Sequence, residues 1–401
     1  MPLSLQMPLP MGLMVAERRW SELIRDRNEA ARSSGRWRSI RSLDSGSPAT
    51  RITESAQPVV TFASNDYLGL TQHPAVIAAA ADALTTYGAG SGAARLIVGS
   101  RPIHAELEHA LSAWSGRDAA LLFPTGFQAN LGVIGALVAA AGRGPDAAVV
   151  YSDELNHASI IDGIRAARAD AVVYRHADVD HLRELMADRR DRPALVITDA
   201  VFSMDGDLAP LDALDEVCAS PGALLVVDEA HAVLGPPTPA GAVVVGTLSK
   251  AFGSVGGFVA ADRAVIDLCV NTARSFIFTT AGAPADAAAA LAAVRIVASA
   301  EGDALRSRLR DNIDVVRRGH PSPVVPVLLG SEERAVEVAD ALLCQGLLVP
   351  AIRPPTVAPG TCRLRVAVSA AHRTTDLVRL RDALADMGLD REMEQGRGHE
   401  Q

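Results

Sequence analysis

Lysine, aspartate and histidine side chains follow two apolar runs of this sequence, where they could carry out chemistry on a bound ligand. Asp228 ends the run 223–228 and His231 comes shortly after it, while Lys250 follows the run 243–247. A carboxylate at the end of an apolar strand is costly unless it is paired. A lysine in apolar, glycine-rich surroundings can have a lowered pKa and act as a nucleophile or base. If the two runs form neighbouring strands, these side chains reach one pocket.

Polar residues also follow three other apolar runs. Gly126 and Phe127 open a helical pattern after the run 119–124. The free N–H groups at such a helix start favour an anion such as phosphate. His157 and Ser203 follow two further runs. Each signal is weak by itself, but together with the lysine and the aspartate they form a set.

A lysine for a Schiff base, an aspartate for a pyridinium nitrogen and a helix start for a phosphate are what pyridoxal phosphate requires. The main alternative is a dinucleotide-binding dehydrogenase. No G-x-G-x-x-G follows the first strand, and the glycines of 88–92 precede it without a strand of their own. A Walker-type phosphate loop is absent from the sequence. The residues alone therefore allow a pyridoxal phosphate site without deciding for it.

The elements that must position these side chains are short apolar runs separated by segments of helical length. Continuous apolar strands that alternate with helices predict an α/β fold, with a mostly parallel central sheet covered on both faces. Ligands of such sheets bind beyond the carboxyl ends of the strands, where the polar residues above lie. The predicted strands are 119–124, 147–152, 171–174, 194–199, 223–228 and 243–247.

Changes in composition and residue pattern along the sequence divide the chain into four segments. We predict an N-terminal arm and linker over 1–58, a large cofactor-binding domain over 59–285, a smaller C-terminal α/β domain over 286–390 and a disordered tail over 391–401. The apolar N-terminus lacks a basic segment and is interrupted by prolines, so we expect no signal peptide. In the C-terminal part we predict an alanine-rich helix within 281–300, strands at 324–329 and 363–368, and helices at 332–345 and 374–387.

The composition argues against several classes of protein. The formal net charge of −9 argues against a nucleic-acid-binding surface. A hydrophobic content of 49% with 21% charged residues argues against disorder. The four cysteines are far apart and include no C-x-x-C pair, which argues against a metal ribbon or a disulfide framework. We therefore expect a cytoplasmic enzyme with no metal site and with neither a nucleic-acid nor a membrane partner.

Seven short motifs, in one order along the chain, resemble those of the α-oxoamine synthases, which are fold-type I pyridoxal-phosphate enzymes. The resemblance covers about residues 60–388 and implies a large domain with a mostly parallel sheet and a smaller C-terminal domain. The motifs are S-N-D-Y-L-G-L at 64–70, G-A-G-S-G-A-A-R at 88–95, G-F-Q-A-N at 126–130, D-E-L-N-H-A-S at 153–159, V-F-S-M-D-G-D at 201–207, V-D-E-A-H at 227–231 and T-L-S-K at 247–250.

The resemblance implies a role for each catalytic side chain. Lys250 would hold pyridoxal phosphate as a Schiff base and then serve as the general base. Asp228 would keep the pyridine nitrogen protonated, so that the ring accepts the electrons of a carbanion. His157 would stack on the ring, and Ser203 and His231 would hydrogen-bond its phenolic oxygen.

The resemblance also implies which residues surround the phosphate and the substrate. Gly126, Phe127 and Thr247 would flank the cofactor near its phosphate, and Thr279 or Thr280 would reach a phosphate across a dimer interface.

Four further residues are implied to contact the substrates. Arg353 would bind the substrate carboxylate with two parallel hydrogen bonds, with Thr356 nearby. Asn65 would lie close to the lysine side of the pocket. Arg32 is the candidate for an N-terminal arginine that contacts the acyl substrate, with Arg36 as the second choice.

Within the family, the stretches 64–74 and 351–365 are most similar to the branch that makes a biotin precursor. This implies an acyltransferase that condenses L-alanine with a pimeloyl thioester, with loss of CO₂. The second substrate would be pimeloyl-CoA or pimeloyl-acyl carrier protein, and the enzyme would be a homodimer.

The chain departs from the family pattern after His231. A glycine-rich stretch is replaced there by a shorter segment, which Pro236, Pro237 and Pro239 stiffen. Because this segment helps to shape the acyl region in relatives, the acyl preference stays open. A sibling synthase that uses glycine or serine and another acyl-CoA is the alternative. A catalytically impaired, cofactor-binding scaffold is a third reading, which the intact lysine, aspartate and histidines oppose.

Overall fold

The computed structural model describes residues 11–189, 191–219 and 222–389. The predicted disordered tail, 391–401, lies outside these residues, as do the first ten residues of the apolar N-terminus. The helices are α1 (Met11–Ser33), α2 (Pro74–Tyr87), α3 (Pro102–Ser115), α4 (Gly126–Ala140), α5 (Ala158–Ala167), α6 (Val179–Ala187), α7 (Leu211–Cys218), α8 (Arg263–Thr272), α9 (Arg274–Ile277), α10 (Pro284–Val297), α11 (Ala300–Val316), α12 (Glu332–Cys344) and α13 (Thr374–Asp386). The strands are β1 (Ala49–Ile52), β2 (Gln57–Thr61), β3 (Ala119–Phe123), β4 (Val149–Asp153), β5 (Asp170–Tyr174), β6 (Ala194–Asp199), β7 (Ala223–Asp228), β8 (Val243–Thr247), β9 (Gly257–Ala261), β10 (Val324–Gly330), β11 (Leu347–Leu348), β12 (Ala351–Ile352) and β13 (Cys362–Ala367).

A seven-stranded sheet in the order β3-β9-β8-β7-β6-β4-β5 carries the polar strand ends. β9 runs antiparallel to both of its neighbours, and the other strand pairs are parallel. The prediction of an α/β fold with a mostly parallel sheet is therefore confirmed. Asp199 of β6 pairs with Asp228 of β7, and Asp228 pairs with Val245 of β8. The carboxyl ends of three adjacent strands thus bring their polar residues to one edge.

The central strands form because valine, isoleucine and leucine run through them without interruption and fit a sheet that is buried on both faces. One face packs against α4, α5 and α8, and part of the other face packs against α6 and α7. Each fully buried valine or leucine contributes about 1.5–3 kcal/mol relative to an exposed one. This packing fixes the strand ends, and with them the polar side chains that follow.

The predicted strands over 119–247 agree with β3 to β8 within two residues at each end. The C-terminal predictions agree with β10, β13, α12 and α13 within one residue, and the alanine-rich run forms the buried helix α10. The sequence analysis missed β9. Its run, G-F-V-A-A, follows β8 without the helix that a parallel crossover needs, and an antiparallel neighbour needs none.

A second sheet, in the order β10-β13-β12, is antiparallel and belongs to the C-terminal part of the chain. Its central strand, β13, carries Arg363 and Arg365, which are both buried. Successive side chains of a strand point to opposite faces, so these two arginines share one face. Burying two arginines on a central strand requires acceptors for them, which the site described below supplies.

Among the described residues, contacts divide the chain into one unit of residues 11–44 and 51–57 and another of residues 45–50 and 58–389. In the first unit the guanidinium of Arg32 lies 4.1 Å from the ring centroid of Trp37 and 3.8 Å from the carboxylate of Glu29. The predicted domain boundaries after residues 58 and 285 stay predictions.

None of the helices in the described part of the chain combines the length and the hydropathy that a membrane span needs.

Candidate active site

Lys250 and His231 meet at the carboxyl edge of the central sheet. Lys250 follows β8 by three residues, and its Nζ lies 2.8 Å from Nε2 of His231. Burial lowers the pKa of Lys250 to about 8, against the charges of Asp228 and Asp199, which favour the ammonium form. Burial and the positive charge of Lys250 lower the pKa of His231 well below its ordinary value. A neutral histidine therefore faces an amine that loses its proton near physiological pH.

Asp228 is held by hydrogen bonds to both of its carboxylate oxygens. Oδ2 accepts from Nδ2 of Asn130, at 2.7 Å, and Oδ1 accepts from the N–H of Ala230, at 2.9 Å. Asn130 lies in α4 and also donates to Oγ of Ser159, at 2.9 Å. Its own Oδ1 is buried and has no hydrogen-bond partner among the described residues. These bonds fix the direction of a buried carboxylate, as a partner for a cationic ring nitrogen requires.

His157 caps the start of α5 and leaves its ring exposed. Its Nδ1 lies 2.7 Å from Oγ of Ser159, and its backbone N–H donates to Oδ2 of Asp199, at 2.8 Å. Burial and the charge of neighbouring Asp228 raise the pKa of Asp199 well above its ordinary value. The backbone of His157 is thus anchored to a buried strand end, and its ring is free to stack on a ligand.

A corner suited to an anion lies at the start of α4. Thr125 caps this helix through a bond from the N–H of Gln128, at 3.1 Å. The N–H groups of Gly126 and Phe127 come before that bond, where a helix offers no acceptor of its own. A Cβ on Gly126 would lie 3.3 Å from Cβ of Thr247, so this position stays glycine-sized. Positive helix-end charge and N–H donors together favour a phosphate.

Hydroxyl groups line the same corner. Oγ1 of Thr247 lies 2.8 Å from Oγ of Ser249. Oγ1 of Thr279 accepts from Nε2 of Gln128, at 3.4 Å, which places Thr279 beside the start of α4. Thr280 is exposed. Of the two threonines that the family resemblance offered, Thr279 is the one with a bond to this helix start.

The loop 201–208, which follows β6, carries Ser203. A β-bridge joins its ends, and the carbonyl of Ser203 accepts from Nε of Arg365, at 2.5 Å. Asp205 of this loop forms an ion pair with Arg363. The two arginines of β13 therefore fix the loop from the C-terminal sheet.

A histidine between two carboxylates fixes the other side of this loop. Nδ1 of His176 lies 3.0 Å from Asp153, at the end of β4, and Nε2 lies 2.7 Å from Asp207. Burial lowers the pKa of His176, but the hydrogen bonds and charges of the two carboxylates outweigh burial and raise that pKa to about 10. The ring also packs edge-on against Phe202, with centroids 4.3 Å apart. A cationic histidine thus joins β4 to the loop.

Asn65, Tyr67 and Arg365 extend the site away from the lysine. The hydroxyl of Tyr67 lies 2.6 Å from Nδ1 of His231 and 3.0 Å from Oδ1 of Asn65. Nη1 of Arg365 donates to the same Asn65 oxygen, at 3.1 Å, and Nη2 donates to the Tyr67 hydroxyl, at 3.4 Å. Asn65 was predicted to lie close to the lysine side of the pocket. In the structure, Tyr67 and His231 link it to Lys250 through hydrogen bonds.

Arg353 and Thr356 lie on the turn after β12, where the Thr356 N–H donates to the Arg353 carbonyl, at 3.1 Å. Ile352, the residue before Arg353, pairs with Arg363 in the C-terminal sheet. Arg32 lies in the other contact unit of the chain. The roles of Arg353, Thr356 and Arg32 toward substrate stay predictions.

Four residues of the site were given no role by the sequence analysis, although Tyr67 and Asn130 stand inside quoted motifs and Arg365 ends the stretch 351–365. A buried amide in the mostly apolar helix α4 signals Asn130, and alternating arginines in an apolar strand signal Arg365. Asp199 ends an apolar strand as Asp228 does. Tyr67 carries no signal of its own, because a buried tyrosine is most often a core residue.

The donor set fits pyridoxal phosphate. The α4 start and the hydroxyls of Thr247 and Ser249 suit its phosphate, and Asp228 suits its ring nitrogen. Lys250 suits its aldehyde carbon. Among the described residues, no group of three or more histidine, cysteine, aspartate or glutamate side chains is arranged to hold a metal ion.

Comparisons with known proteins agree with this reading of the site. The sequence model of the aminotransferase class I and II family matches residues 57–384. The 8-amino-7-oxononanoate synthase of Anaeromyxobacter dehalogenans is 50% identical over 356 residues, which cover 83% of this chain and 87% of the relative.

Solved structures extend the comparison to the fold. A variant of the serine palmitoyltransferase from S. paucimobilis, solved with a bound PLP-myriocin aldimine, gives a TM-score of 0.81 at 30% identity, over 92% of this chain and 98% of that chain. An 8-amino-7-oxononanoate synthase from Francisella tularensis gives 0.68 at 25% identity, over 82% and 98%. The chain therefore belongs to the aminotransferase class I and II family, and within it to the pyridoxal-phosphate-dependent α-oxoamine synthases.

Proposed function

We propose that this protein is an 8-amino-7-oxononanoate synthase of biotin biosynthesis, which condenses L-alanine with a pimeloyl thioester and releases CO₂ and the thiol carrier. The observation that carries the proposal is the arrangement of Lys250, His231 and Asp228 at one sheet edge, in a chain half identical to a synthase of that name. Bound pyridoxal phosphate supplies an electron sink for the carbanion of the amino acid. The protein's own residues supply the base, the partner of the ring nitrogen and the groups that bind the substrate.

Lys250 acts as the base that takes the α-proton of alanine. Its pKa of about 8 leaves a useful fraction of neutral amine near pH 7.5, and a base works best when its pKa is near the working pH. Asp228, fixed by Asn130 and the Ala230 N–H, holds a proton on the ring nitrogen through its negative charge. His157 would cover one face of the bound ring and exclude water from that side.

Arginines bind the substrate carboxylate. Arg365 lies beside Asn65 with its guanidinium pointing into the site, and Arg353 precedes the strand that carries it. A guanidinium presents paired N–H donors that match a carboxylate. A buried arginine beside Asn65 favours an α-amino acid substrate over a neutral amine, and Arg353 is the second candidate for its carboxylate.

A sibling synthase that uses glycine or serine is the second candidate, and one observation favours it. The segment after His231 is short and rigid, since Arg117 donates to the carbonyls of Pro239, at 2.6 Å, and Ala242, at 3.0 Å. A segment held in this way shapes a different acyl region from that of a longer, glycine-rich loop. Serine palmitoyltransferase shares the fold, but fold similarity does not determine the acyl group.

The decisive experiment is the mass of the product formed from L-alanine and pimeloyl-CoA. We expect the mass of 8-amino-7-oxononanoate, together with one CoA and one CO₂ for each turnover. Parallel assays compare L-alanine with glycine and L-serine, across acyl-CoA chain lengths and with pimeloyl-acyl carrier protein. Faster CoA release from acetyl-CoA with glycine than from pimeloyl-CoA with L-alanine would overturn the proposal in favour of the sibling.

We also propose a cytoplasmic homodimer. The segment 95–99 contacts α9, which Phe278 follows directly. Four exposed apolar residues at this place, which we call the apolar patch, support a second copy as the partner: Leu96, Ile97, Val98 and Phe278 are 50%, 74%, 70% and 70% exposed. Exposed apolar clusters mark contact surfaces. The four cysteines are far apart and include no C-x-x-C pair, which favours a reducing compartment.

A further inference from the structure

His231 is bonded on both sides, and its second partner has no role in the function proposed above. Nε2 faces Lys250 at 2.8 Å, and Nδ1 faces the hydroxyl of Tyr67 at 2.6 Å. Building on that proposed function, we infer that Tyr67 is a positioning residue that sets the tautomer of His231 and, through it, the hydrogen bonding of the Lys250 amine.

The hydrogens of this network can be assigned from the donors and acceptors present. Near pH 7 the Lys250 amine, with a pKa of about 8, is mainly an ammonium group and can only donate. Nε2 of neutral His231 must then accept, so Nδ1 carries the hydrogen and donates to Tyr67. The Tyr67 hydroxyl in turn donates to Asn65, at 3.0 Å. The heavy-atom distances suit either tautomer, and the ammonium charge of Lys250 selects this one.

A hydroxyl group is the partner that permits a change of tautomer. His231 is 5% exposed and Tyr67 is fully buried, so water cannot replace a missing bond. Burial keeps Tyr67 a neutral phenol by raising its pKa to about 12. A phenol both donates and accepts. As Lys250 becomes neutral, one proton is released to solvent, the ring loses its hydrogen at Nδ1 and carries one at Nε2, and the hydroxyl turns its own hydrogen from Asn65 to Nδ1 while the heavy atoms stay in place.

Arg365 supports this position from the other side. Its Nη1 keeps a bond to Asn65 at 3.1 Å when the tyrosine hydrogen turns away, so the Asn65 oxygen is not left without a donor. The proton on His231 can therefore follow the charge on Lys250. Phenylalanine at position 67 removes this freedom, because an N–H at Nδ1 would have no acceptor in a buried site and an unpaired group there is costly.

The experiment uses the presence of a single lysine in the sequence. Lys250 is the only lysine in the chain, so protein labelled with ¹³Cε-lysine gives one lysine signal that needs no assignment. The signal is titrated with pH in the cofactor-free full chain. We expect Tyr67→Phe to lower the titration midpoint by about one pH unit, because the tautomer with a hydrogen on Nε2 opposes the ammonium. Tyr151→Phe is the matched control, since Tyr151 is equally buried and its hydroxyl lies 3.5 Å from the Leu185 carbonyl, and its midpoint should equal that of wild type.

A second measurement reads the tautomer directly. Long-range ¹H–¹⁵N spectra of histidine-labelled protein distinguish the two ring tautomers, and the His231 signals are those lost in His231→Gln. In wild type we expect a single His231 tautomer, with the hydrogen on Nδ1. In Tyr67→Phe we expect that this tautomer is no longer the single form. An Nε2–H or a cationic ring in wild type overturns the inference even if Tyr67→Phe does not fold, and an unchanged lysine midpoint in folded Tyr67→Phe overturns it as well. Neither measurement uses substrate, so a failure to form product from L-alanine and pimeloyl-CoA counts against the proposed function alone.

Discussion

At the scale of single residues, the chemistry of the site depends on burial of a few charged groups. Lys250 is the only lysine among 401 residues and occupies the position where an amine is required. Its amine is desolvated, which lowers its pKa, while the carboxylate of Asp228 opposes that shift. The balance leaves an amine that can be a nucleophile and a base in the same pH range.

Trapping the cofactor should therefore modify one side chain. After incubation with pyridoxal phosphate and reduction with borohydride, peptide mass analysis should place the modification on Lys250 in wild type. Lys250→Ala should show no side-chain modification and no product formation, since no other lysine can replace the amine. Wild type without borohydride is the control. A modified side chain elsewhere would contradict the assignment of Lys250.

At the scale of secondary-structure elements, the site is assembled by strand ends, one helix start and one loop. β6, β7 and β8 supply Asp199, Asp228 and Lys250 because parallel neighbours end at the same edge. α4 supplies both the anion corner and Asn130. The loop 201–208 is held by β13 on one side and by His176 on the other. Its position thus depends on side-chain bonds from β13 and His176 as well as on the β-bridge that joins its ends.

The pairing of His176 should make stability depend on pH. In the folded protein its pKa is about 10, whereas an unfolded histidine has about 6.5. The stabilisation is therefore complete below about pH 6.5 and is lost as pH rises toward 10. His176→Gln should cost about 1–3 kcal/mol of unfolding free energy at pH 6, since the ring is partly exposed, and progressively less toward pH 10.

Denaturant unfolding of wild type and His176→Gln across this pH range checks the prediction. His181→Gln is a matched control, since His181 accepts a single bond from the backbone N–H of Arg175, at 2.9 Å, and faces no carboxylate pair. A difference between wild type and His176→Gln that is the same at pH 6 and pH 10 would show that the charge of His176 plays no part.

At the scale of the whole molecule, the net charge of the protein has the same sign as the charges of its ligands. The net charge is −9, and the phosphate of the cofactor and the carboxylate of the amino acid are anions. Attraction must therefore come from local groups, namely the α4 start and the buried arginines, rather than from the field of the whole protein. The apolar patch is the other molecular feature, because exposed aliphatic side chains are costly unless another surface covers them.

The apolar patch should hold two copies together. Ile97→Asp places a charge where the proposed dimer buries a 74% exposed isoleucine, so its mass by light scattering should fall from that of a dimer toward that of a monomer. Val173→Asp is the control, because Val173 is 60% exposed on the edge strand β5, away from the patch. A wild-type protein with the mass of a monomer and full activity would rule out the dimer.

The sequence by itself determined the fold class and most strand positions, and it selected lysine, aspartate and histidine as the candidate catalytic residues. It could do so because buried parallel strands appear as continuous apolar runs, and because catalytic side chains follow them at strand ends. Motifs at fixed spacing then indicated the family. β9 was not predicted, because an antiparallel neighbour needs no crossover helix and the sequence therefore shows no helix between β8 and β9.

Only the tertiary structure decided which distant residues complete the site. Asn130 reaches Asp228, Tyr67 reaches His231, and Arg365 reaches Asn65 across most of the chain. The sequence can mark Asn130 or Arg365 as unusual, but no local pattern encodes these contacts, since the partner of each side chain lies far away along the chain. Hydrogen bonds between side chains depend on distances of a few tenths of an ångström, and packing of the whole domain sets those distances.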